Sequence, residues 1–190
     1  VNDAPVAVAN TNEVPENGVI GFAAVSSVLG DDADVDGDAL TVSSIRTGNV
    51  AATGGAQGEI GSTLVGAYGV LTLNADGQYS YTTTASAVDG LAAGATAVDV
   101  FTYTITDGAL SASAELLITV TGVNDAPVAV ADTLDATEDT PETYTAAQLV
   151  GNDTDVENSE LSLSSVTSGS NGTAVLNADG TVTFTPNADY

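Results

Sequence analysis

The stretch Val-Asn-Asp-Ala-Pro-Val-Ala-Val-Ala at Val1–Ala9 recurs without a change at Val123–Ala131. An identity of this length, repeated 122 residues further along the chain, indicates a tandem array instead of one large domain. Modules of roughly 100 residues are also the commonest domain size. The sequence therefore predicts a first repeat at residues 1–122 and a second repeat at residues 123–190, which stops before counterparts of the first repeat's last strands.

Outward from these two copies, apolar residues alternate with polar ones. Leu71–Leu73 and Tyr79–Tyr81 flank the turn sequence Asn74–Gly77, which is typical of a β-hairpin, and Val175–Phe184 repeats this pattern. Alternation continues at 101–105 and 116–120. Short strands separated by Gly and Asp turns predict an all-β fold of tandem Greek-key β-sandwiches, of which the second is incomplete.

Three segments are less regular. Gly54–Tyr68 is rich in Gly and Ala and predicts a long loop or a weak extra hairpin, and Ala92–Ala97 predicts a single helical turn. At the repeat boundary, Pro127 lacks an amide hydrogen and restricts Ala126 to extended backbone. We therefore expect a short and fairly stiff linker.

Charge is the most extreme property of the chain. Its 26 acidic residues face one basic residue, Arg46, for a formal net charge of −25. Binding to nucleic acid or to anionic lipid through a basic patch is excluded, because both require Lys and Arg. Mutual repulsion penalises the compact state, so bound cations are expected to offset it. The alternative is a highly acidic surface like that of halophilic proteins.

Other classes of site and segment are also excluded. The sequence has no Cys and no His, which leaves no disulfide and no thiolate or imidazole ligand. It has no run of about 18 apolar residues, so membrane insertion is not expected. Because the start does not resemble a signal peptide either, we interpret the chain as a middle piece of a longer protein.

The acidic loop Asp31–Asp38 has a carboxylate at nearly every second position, and we expect these carboxylates to converge on one point. Two such charges 4 Å apart repel by about 1 kcal/mol in water and about 4 kcal/mol near a protein surface. Ca²⁺ accepts six to eight oxygen ligands in irregular geometry, whereas Mg²⁺ demands a near-ideal octahedron and Zn²⁺ prefers His and Cys. The candidate Ca²⁺ ligands in this loop are Asp32, Asp34, Asp36 and Asp38.

A second acidic loop occupies Asn152–Glu160. It keeps Asp153 and Asp155 but ends with Glu157 and Asn158, so we expect weaker or differently arranged Ca²⁺ binding there. An EF-hand does not fit the first loop, because no Glu stands at its twelfth position and no flanking helices are predicted. The alternative, a merely solvated acidic turn, is disfavoured by the recurrence of the loop.

Taken in order, these motifs resemble VCBS-type repeats, which are cadherin-like modules of large bacterial surface adhesins, often of the RTX type. The resemblance rests on Val-Asn-Asp-Ala-Pro, on the Asp-x-Asp-x-Asp-Gly-Asp run at Asp32–Asp38, and on Leu73–Tyr81 and Phe101–Gly108. The second repeat resembles the related cadherin-like tandem repeat at 152–156 and at Asn177–Tyr190. Together the motifs cover essentially the whole chain.

The resemblance implies a Greek-key sandwich, export by a type I system to the bacterial cell surface, and Ca²⁺ held between successive modules. It places Glu16 and Asp99 of the first module and the linker pair Asn124 and Asp125 in one such site. The second module would add Asp153, Asp155 and Asn158, and the upstream end of the first would use Asn2, Asp3 and Asp107 with Asp32, Asp34 and Asp36. The Leu-Asp-Arg-Glu motif of cadherins is not present, and because the chain has no Trp, adhesion by strand exchange is not supported.

The function that follows is a Ca²⁺-stiffened extender of a secreted bacterial adhesin, active in cell adhesion and biofilm formation, whose partners are neighbouring repeats of the same adhesin. The alternative is a module that binds a polysaccharide or a cell surface directly, although the aromatic residues mostly take alternating core positions. We do not expect an enzyme. Paired carboxylates can hydrolyse glycosides, but here they cluster in loops as ligands do.

Overall fold

The computed structural model describes residues 1–22 and 27–188. The chain divides into two compact units, Val1–Asn124 (unit 1) and Asp125–Tyr190 (unit 2). Asp189 and Tyr190, which end the second cadherin-like motif named above, lie outside the described residues. No helix in the described part of the chain is long and apolar enough to cross a membrane.

Unit 1 forms two sheets from the strands that the described residues contain. Its elements are β1 (Asn10–Pro15), β2 (Val19–Ile20), β3 (Thr41–Thr47), β4 (Gln57–Gly58), β5 (Thr63–Val65), β6 (Gly69–Leu73), β7 (Tyr79–Thr83), α1 (Ala85–Val88), β8 (Thr96–Thr106) and β9 (Ser111–Thr121). One sheet has the order β1-β9-β8-β3-β4 and the other β2-β7-β6-β5. Only the β1–β9 pairing is parallel among these strands.

The core of unit 1 follows from the alternation seen in the sequence. Successive side chains of a strand point to opposite faces, so Phe101, Tyr103 and Ile105 of β8 are buried together. Tyr81 of β7, on the opposing sheet, packs edge-to-face on Phe101 at a ring-centroid distance of 6.3 Å. Such a pair adds about 0.5–1.5 kcal/mol beyond area burial. The predicted β-sandwich is thereby confirmed.

The predicted hairpin in unit 1 is also confirmed. β6 and β7 pair in antiparallel register around a turn in which Asn74 N donates to Gln78 O over 2.9 Å. Gly77 takes a φ of +80°, a conformation that favours glycine. The irregular stretch Gly54–Tyr68 contributes the short strands β4 and β5.

The helical turn predicted at Ala92–Ala97 is wrong. The helix α1 lies earlier, at Ala85–Val88, and Thr96 already begins β8. The backbone between them bonds to the residue that follows β9: Gly122 N donates to Ala95 O, and Gly94 N donates to Gly122 O. One local turn bond remains, from Ala95 N to Ala92 O, and the long-range bonds, which local composition does not reveal, fix the residues around it.

Unit 2 forms one sheet from its described residues. Its elements are β10 (Glu142–Tyr144), α2 (Ala146–Val150), β11 (Gly172–Leu176) and β12 (Val182–Pro186), in the sheet order β10-β12-β11. The repeated turn sequence identifies this sheet with β2-β7-β6 of unit 1. Counterparts of β8 and β9 are not found between residues 125 and 188, and Val182 is the single large hydrophobic residue there that is buried.

Candidate functional site

The acidic loop of unit 1, Asp31–Asp38, binds the N-terminal segment of the same unit. Val6 and Ala33 exchange two backbone hydrogen bonds of 2.7 and 3.1 Å. On either side of this bridge, Val8 N donates to Asp32 Oδ1 over 2.7 Å and Asp3 N donates to Asp36 Oδ2 over 2.8 Å. The loop carboxylates thus complete the hydrogen bonding of a segment that has no strand beside it at those positions.

Asp34 shapes the loop itself. Its Oδ1 accepts hydrogen bonds from the amides of Asp36, at 2.9 Å, and Asp38, at 3.3 Å. The turn is completed by Gly37, whose φ is +80°. The second oxygens of Asp32 and Asp34, both Oδ2, are buried without a hydrogen-bond partner. A buried carboxylate oxygen left in this state is unfavourable unless a cation or a donor reaches it.

Two residues from outside the loop extend this acidic end. Asn2 Nδ2 donates to Asp107 Oδ2 over 2.9 Å, which joins the N-terminal segment to the turn after β8. Asp107 Oδ1 accepts the amides of Leu110 and Ala109 at 2.7 and 2.6 Å, and these bonds lower the pKa of Asp107. The structure therefore brings Asn2 and Asp107 together by a direct hydrogen bond.

A buried tyrosine anchors the loop to the core, and sequence reasoning missed it. Tyr103 of β8 donates its hydroxyl hydrogen to Val8 O over 2.6 Å and accepts one from Asn10 Nδ2 over 3.0 Å. Burial raises the pKa of Tyr103, so this hydroxyl keeps its proton at neutral pH. Burial also raises the pKa of Asp32, against the opposing hydrogen bond from Val8 N. The alternation of β8 revealed that Tyr103 is buried but not what its hydroxyl holds.

The acidic loop of unit 2 reproduces these contacts. Val128 and Thr154 exchange backbone hydrogen bonds of 2.7 and 3.0 Å, as Val6 and Ala33 do in unit 1. Val130 N donates to Asp153 Oδ1 over 2.7 Å, and Asp125 N donates to Glu157 Oε1 over 2.6 Å. Glu157 is thus the structural equivalent of Asp36, and both loops bind their neighbouring segments through the same hydrogen bonds.

The turn within the second loop is likewise repeated. Asp155 Oδ1 accepts the amides of Ser159 and Glu157 at 3.0 and 3.1 Å, and the bond from Ser159 is the main reason that the pKa of Asp155 is lowered. Asn158, with a φ of +60°, stands where the first loop has Gly37. Glu157 Oε2 is buried without a partner. The short helix α2 directly before this loop was not predicted.

Glu16 lies in the turn after β1, where its amide donates to Thr121 O over 2.8 Å. Its side chain is only 3% exposed, and neither of its carboxylate oxygens has a hydrogen-bond partner. The corresponding residue of unit 2, Glu138, is exposed. In both turns the next residue has a left-handed backbone conformation: Asn17 in unit 1 and Asp139 in unit 2, each with a φ of 58°.

Asp99 is equally buried, at 3% exposure, but its environment is different. Its carboxylate accepts hydrogen bonds from Ala67 N at 2.6 Å, from Tyr68 N at 3.0 Å and from the Tyr81 hydroxyl at 2.6 Å. These hydrogen bonds hold the turn between β5 and β6, so both oxygens of Asp99 already have protein donors, unlike those of Glu16. We therefore do not carry Asp99 into the ligand set proposed below.

The expectation that loop carboxylates converge on one point is not met. Across residues 1–22 and 27–188, no group of three or more Asp or Glu side chains is arranged to hold a metal ion. The reason is that three carboxylates of each loop already accept a backbone amide with one oxygen: Asp32, Asp34 and Asp36 in unit 1, and Asp153, Asp155 and Glu157 in unit 2. Asp38 is exposed, and so is Asn124 at the end of unit 1.

Two β-rich units with matching acidic loops define a class of tandem β-modules, and comparison with known proteins gives its family. The bacterial cadherin-like domain matches residues 2–122 and the cadherin-like domain matches residues 123–190, so the chain belongs to the cadherin-like family. Domains of this family are usually extracellular, are generally non-catalytic and typically bind calcium. A search of curated proteins returned no match.

The solved structures that match this chain do so at low identity. An endo-fucoidan hydrolase of glycoside hydrolase family 107 matches over 97% of this chain with 19% identity and a TM-score of 0.34, and a variant of it with 22% and 0.33. Extracellular cadherin domains 1–4 of protocadherin gamma B7 match over 97% of this chain with 17% identity and a TM-score of 0.40. The chain spans 24% of each hydrolase chain and 41% of the protocadherin chain.

Proposed function

We propose that the chain is a Ca²⁺-stiffened extender of a bacterial cell-surface adhesin, exported by a type I system and joined to neighbouring repeats of the same adhesin. The observation that carries this proposal is the Glu16 carboxylate. It is 3% exposed and both of its oxygens lack a protein donor. An isolated buried carboxylate is strongly unfavourable, and a bound cation is the remedy that an almost purely acidic chain requires.

The chemistry of the available donors selects the ion. The unpartnered oxygens belong to carboxylates of Glu16, Asp32, Asp34 and Glu157. Ca²⁺ binds carboxylate, carbonyl and water oxygens in flexible geometry, so it suits a set of four carboxylates in which three of the eight oxygens already accept backbone amides. The proposed ligands are Asn2, Asp3, Glu16, Asp32, Asp34, Asp36, Asp38, Asp107, Asn124, Asp125, Asp153, Asp155, Glu157 and Asn158.

Stiffening follows from linkage between ion binding and folding. An ion that binds only the folded, ordered state stabilises that state by mass action. Extracellular Ca²⁺ modules have dissociation constants of about 10⁻⁴–10⁻³ M, so 10 mM Ca²⁺ would add about 1.4–2.7 kcal/mol per site. The folded state of each unit, in which the loop is bonded to its neighbouring segment, would be stabilised by that amount. Ordered loops would in turn stiffen the array in calcium-rich fluid.

The test measures both stability and length. Thermal unfolding and small-angle scattering of the chain are recorded in 10 mM Ca²⁺ and in EDTA, and we expect a higher melting temperature and a longer maximum dimension with Ca²⁺. Glu16→Gln removes the buried charge and should abolish part of the Ca²⁺ response. Glu138→Gln is the matched control, because Glu138 occupies the equivalent turn but is exposed. An equal response of wild type and Glu16→Gln would refute the proposal.

A further inference from the structure

Half of strand β8 has an open edge. β8 has 11 residues, and β3 pairs with its second half only, from Thr47↔Phe101 to Thr41↔Thr106. One more bond, from Gly48 N to Val100 O over 2.7 Å, closes that pairing. Backbone groups of residues two apart point to the same side, so the amide and carbonyl groups of Thr96 and Val98 point to the side where β3 has ended. Among the described residues, no backbone group pairs with Thr96 or Val98 on that side.

The only basic residue of the chain explains why the edge stays open. The Arg46 guanidinium donates to the carbonyls of Thr47, Asn49, Val50 and Gly54 at 2.8–3.2 Å. Beside it, the Thr102 hydroxyl donates to Gly48 O over 2.7 Å, and Glu115 Oε1 accepts the Val50 amide over 2.8 Å.

Cross-strand register places Arg46, Thr102 and Glu115 in one row across β3, β8 and β9. This row holds the loop that follows β3, at residues 48–56, over the outer face of the sheet. The loop is therefore kept from continuing β3 alongside Thr96 and Val98.

A groove runs along this edge. Its volume is about 380 Å³, and it is lined on one side by Val98 and Val100 of β8 and on the other by Val65, Gly66 and Ala67. Val65 is 67% exposed and Val98 is 43% exposed. The far wall is firm, because the Asp99 carboxylate holds the amides of Ala67 and Tyr68 from below. The groove thus combines main-chain hydrogen-bonding groups with apolar side chains, as peptide sites that work by strand addition do.

We propose that this edge of β8, residues 96–100, binds an extended, positively charged peptide segment of another protein, which adds a strand in line with β3. Charge decides between occupants. At a net charge of −25, two copies of this chain repel each other, while a segment with Lys or Arg is attracted. The edge also has no Lys and no Pro, which natural edge strands commonly use to prevent pairing. None of residues 96–100 is among the proposed Ca²⁺ ligands.

The test uses a fluorescent, terminally blocked peptide Lys-Thr-Val-Thr-Val-Thr-Lys and the whole chain in 10 mM Ca²⁺. We expect saturable binding by anisotropy, together with slower amide hydrogen exchange at Thr96 and Val98. A peptide with Glu in place of both Lys should bind at least tenfold more weakly. A peptide that is N-methylated at every internal residue keeps its charge but cannot pair, and it should not bind.

Two variants locate the site. Val65→Lys places a like charge in the groove wall and should weaken binding at least tenfold. Val175→Lys makes the same charge change at a similarly exposed valine of unit 2 and should have little effect. Equal binding of the N-methylated peptide, or equal effects of the two variants, would show adsorption by net charge alone and overturn the proposal. Self-association at high salt with protection of Thr96 and Val98 would assign the edge to a second copy, which would also overturn it.

Discussion

The two units have almost the same acidic loop above very different interiors. In unit 1 the loop is attached through Tyr103 to a core of large buried side chains, whereas the described part of unit 2 buries a single large hydrophobic residue, Val182. The loop contacts nevertheless agree bond for bond, from Asp32 with Val8 to Asp153 with Val130. In both units these bonds join one acidic loop to one short segment, so the loop and its neighbouring segment form a local structure.

One pair of residues shows what the loop does require. In unit 1 the amide of Asn10 donates to Asp31 over 3.4 Å, and in unit 2 the amide of Asn152 donates to Asp132 over 3.0 Å. The carboxylate and the amide have exchanged places between the two strands of chain. Two carboxylates at this contact would repel each other, and two amide side chains would leave the contact without a negative charge. The repeat thus preserves one negative charge at this contact without preserving which residue supplies it.

The largest predicted effect tests the difference between the interiors. Phe101→Ala removes a fully buried ring and should destabilise unit 1 by about 3–5 kcal/mol. Phe184→Ala removes a partly exposed ring from unit 2 and should cost roughly 1–2 kcal/mol. Urea denaturation followed by resolved amide signals gives a separate midpoint for each unit. A larger loss from Phe184→Ala would show that unit 2 has a core that its described residues do not reveal.

How far the sequence predicted this structure depends on how local each interaction is. The hairpin at Leu71–Tyr81 and both acidic loops were predicted, because turn residues and alternation lie within a few positions of one another. The role of Asp99 was not, since its donors, Ala67, Tyr68 and Tyr81, are 18 to 32 residues away. The helix at Ala85–Val88 and the hydroxyl contact of Tyr103 depend on such long-range packing as well.

The second prediction concerns the long-range hydrogen bonds of the Asp99 carboxylate, which lie in unit 1. Asp99→Asn keeps the size of the side chain but points an amide group at one of three donors. Hydrogen bonds to a charged group contribute about 1.5–3 kcal/mol each, so we expect a loss of about 2–3 kcal/mol in unit 1 and none in unit 2. The loss should be the same in Ca²⁺ and in EDTA. A loss confined to Ca²⁺ would instead restore Asp99 to the metal ligands.

The third prediction concerns Asp32, which follows Asp31 in the first loop, whereas the second loop has Asn152 at the place of Asp31. Burial, and then the charge of Asp31, raise the pKa of Asp32. A raised folded-state pKa gives stability that is complete below the unfolded-state value and is lost as pH rises through the folded-state value. In EDTA, unit 1 should therefore lose this contribution as pH rises above the ordinary aspartate range.

Asp32→Asn should remove that loss. In EDTA at pH 7 it should raise the free energy of unfolding of unit 1 by about 1 kcal/mol or less, and its urea midpoint with it, since the site is partly exposed. In Ca²⁺ it should lower the midpoint, because a proposed ligand is gone. Asp155 has the opposite sign: its lowered pKa gives stability that is lost on acidification. If Asp32→Asn is destabilising in EDTA too, its hydrogen bond from Val8 outweighs its buried charge.

The smallest predicted effect concerns the left-handed position of each loop, Gly37 in unit 1 and Asn158 in unit 2. A Cβ at Gly37 would meet no atom within 4 Å, so only backbone strain opposes a side chain there. Asn tolerates this conformation better than other residues with a Cβ, and its side chain reduces the entropy of the unfolded chain. Gly37→Asn and Asn158→Gly should therefore each change stability by less than about 0.5 kcal/mol. Gly37→Val, which adds a branched side chain, should cost about 1–2 kcal/mol of stability.

Ca²⁺ titration of Gly37→Asn and Asn158→Gly then tests whether this residue determines the difference in Ca²⁺ affinity between the loops. If affinities follow the exchanged residue, the turn governs binding, and if they do not, the difference lies in Asp36 against Glu157.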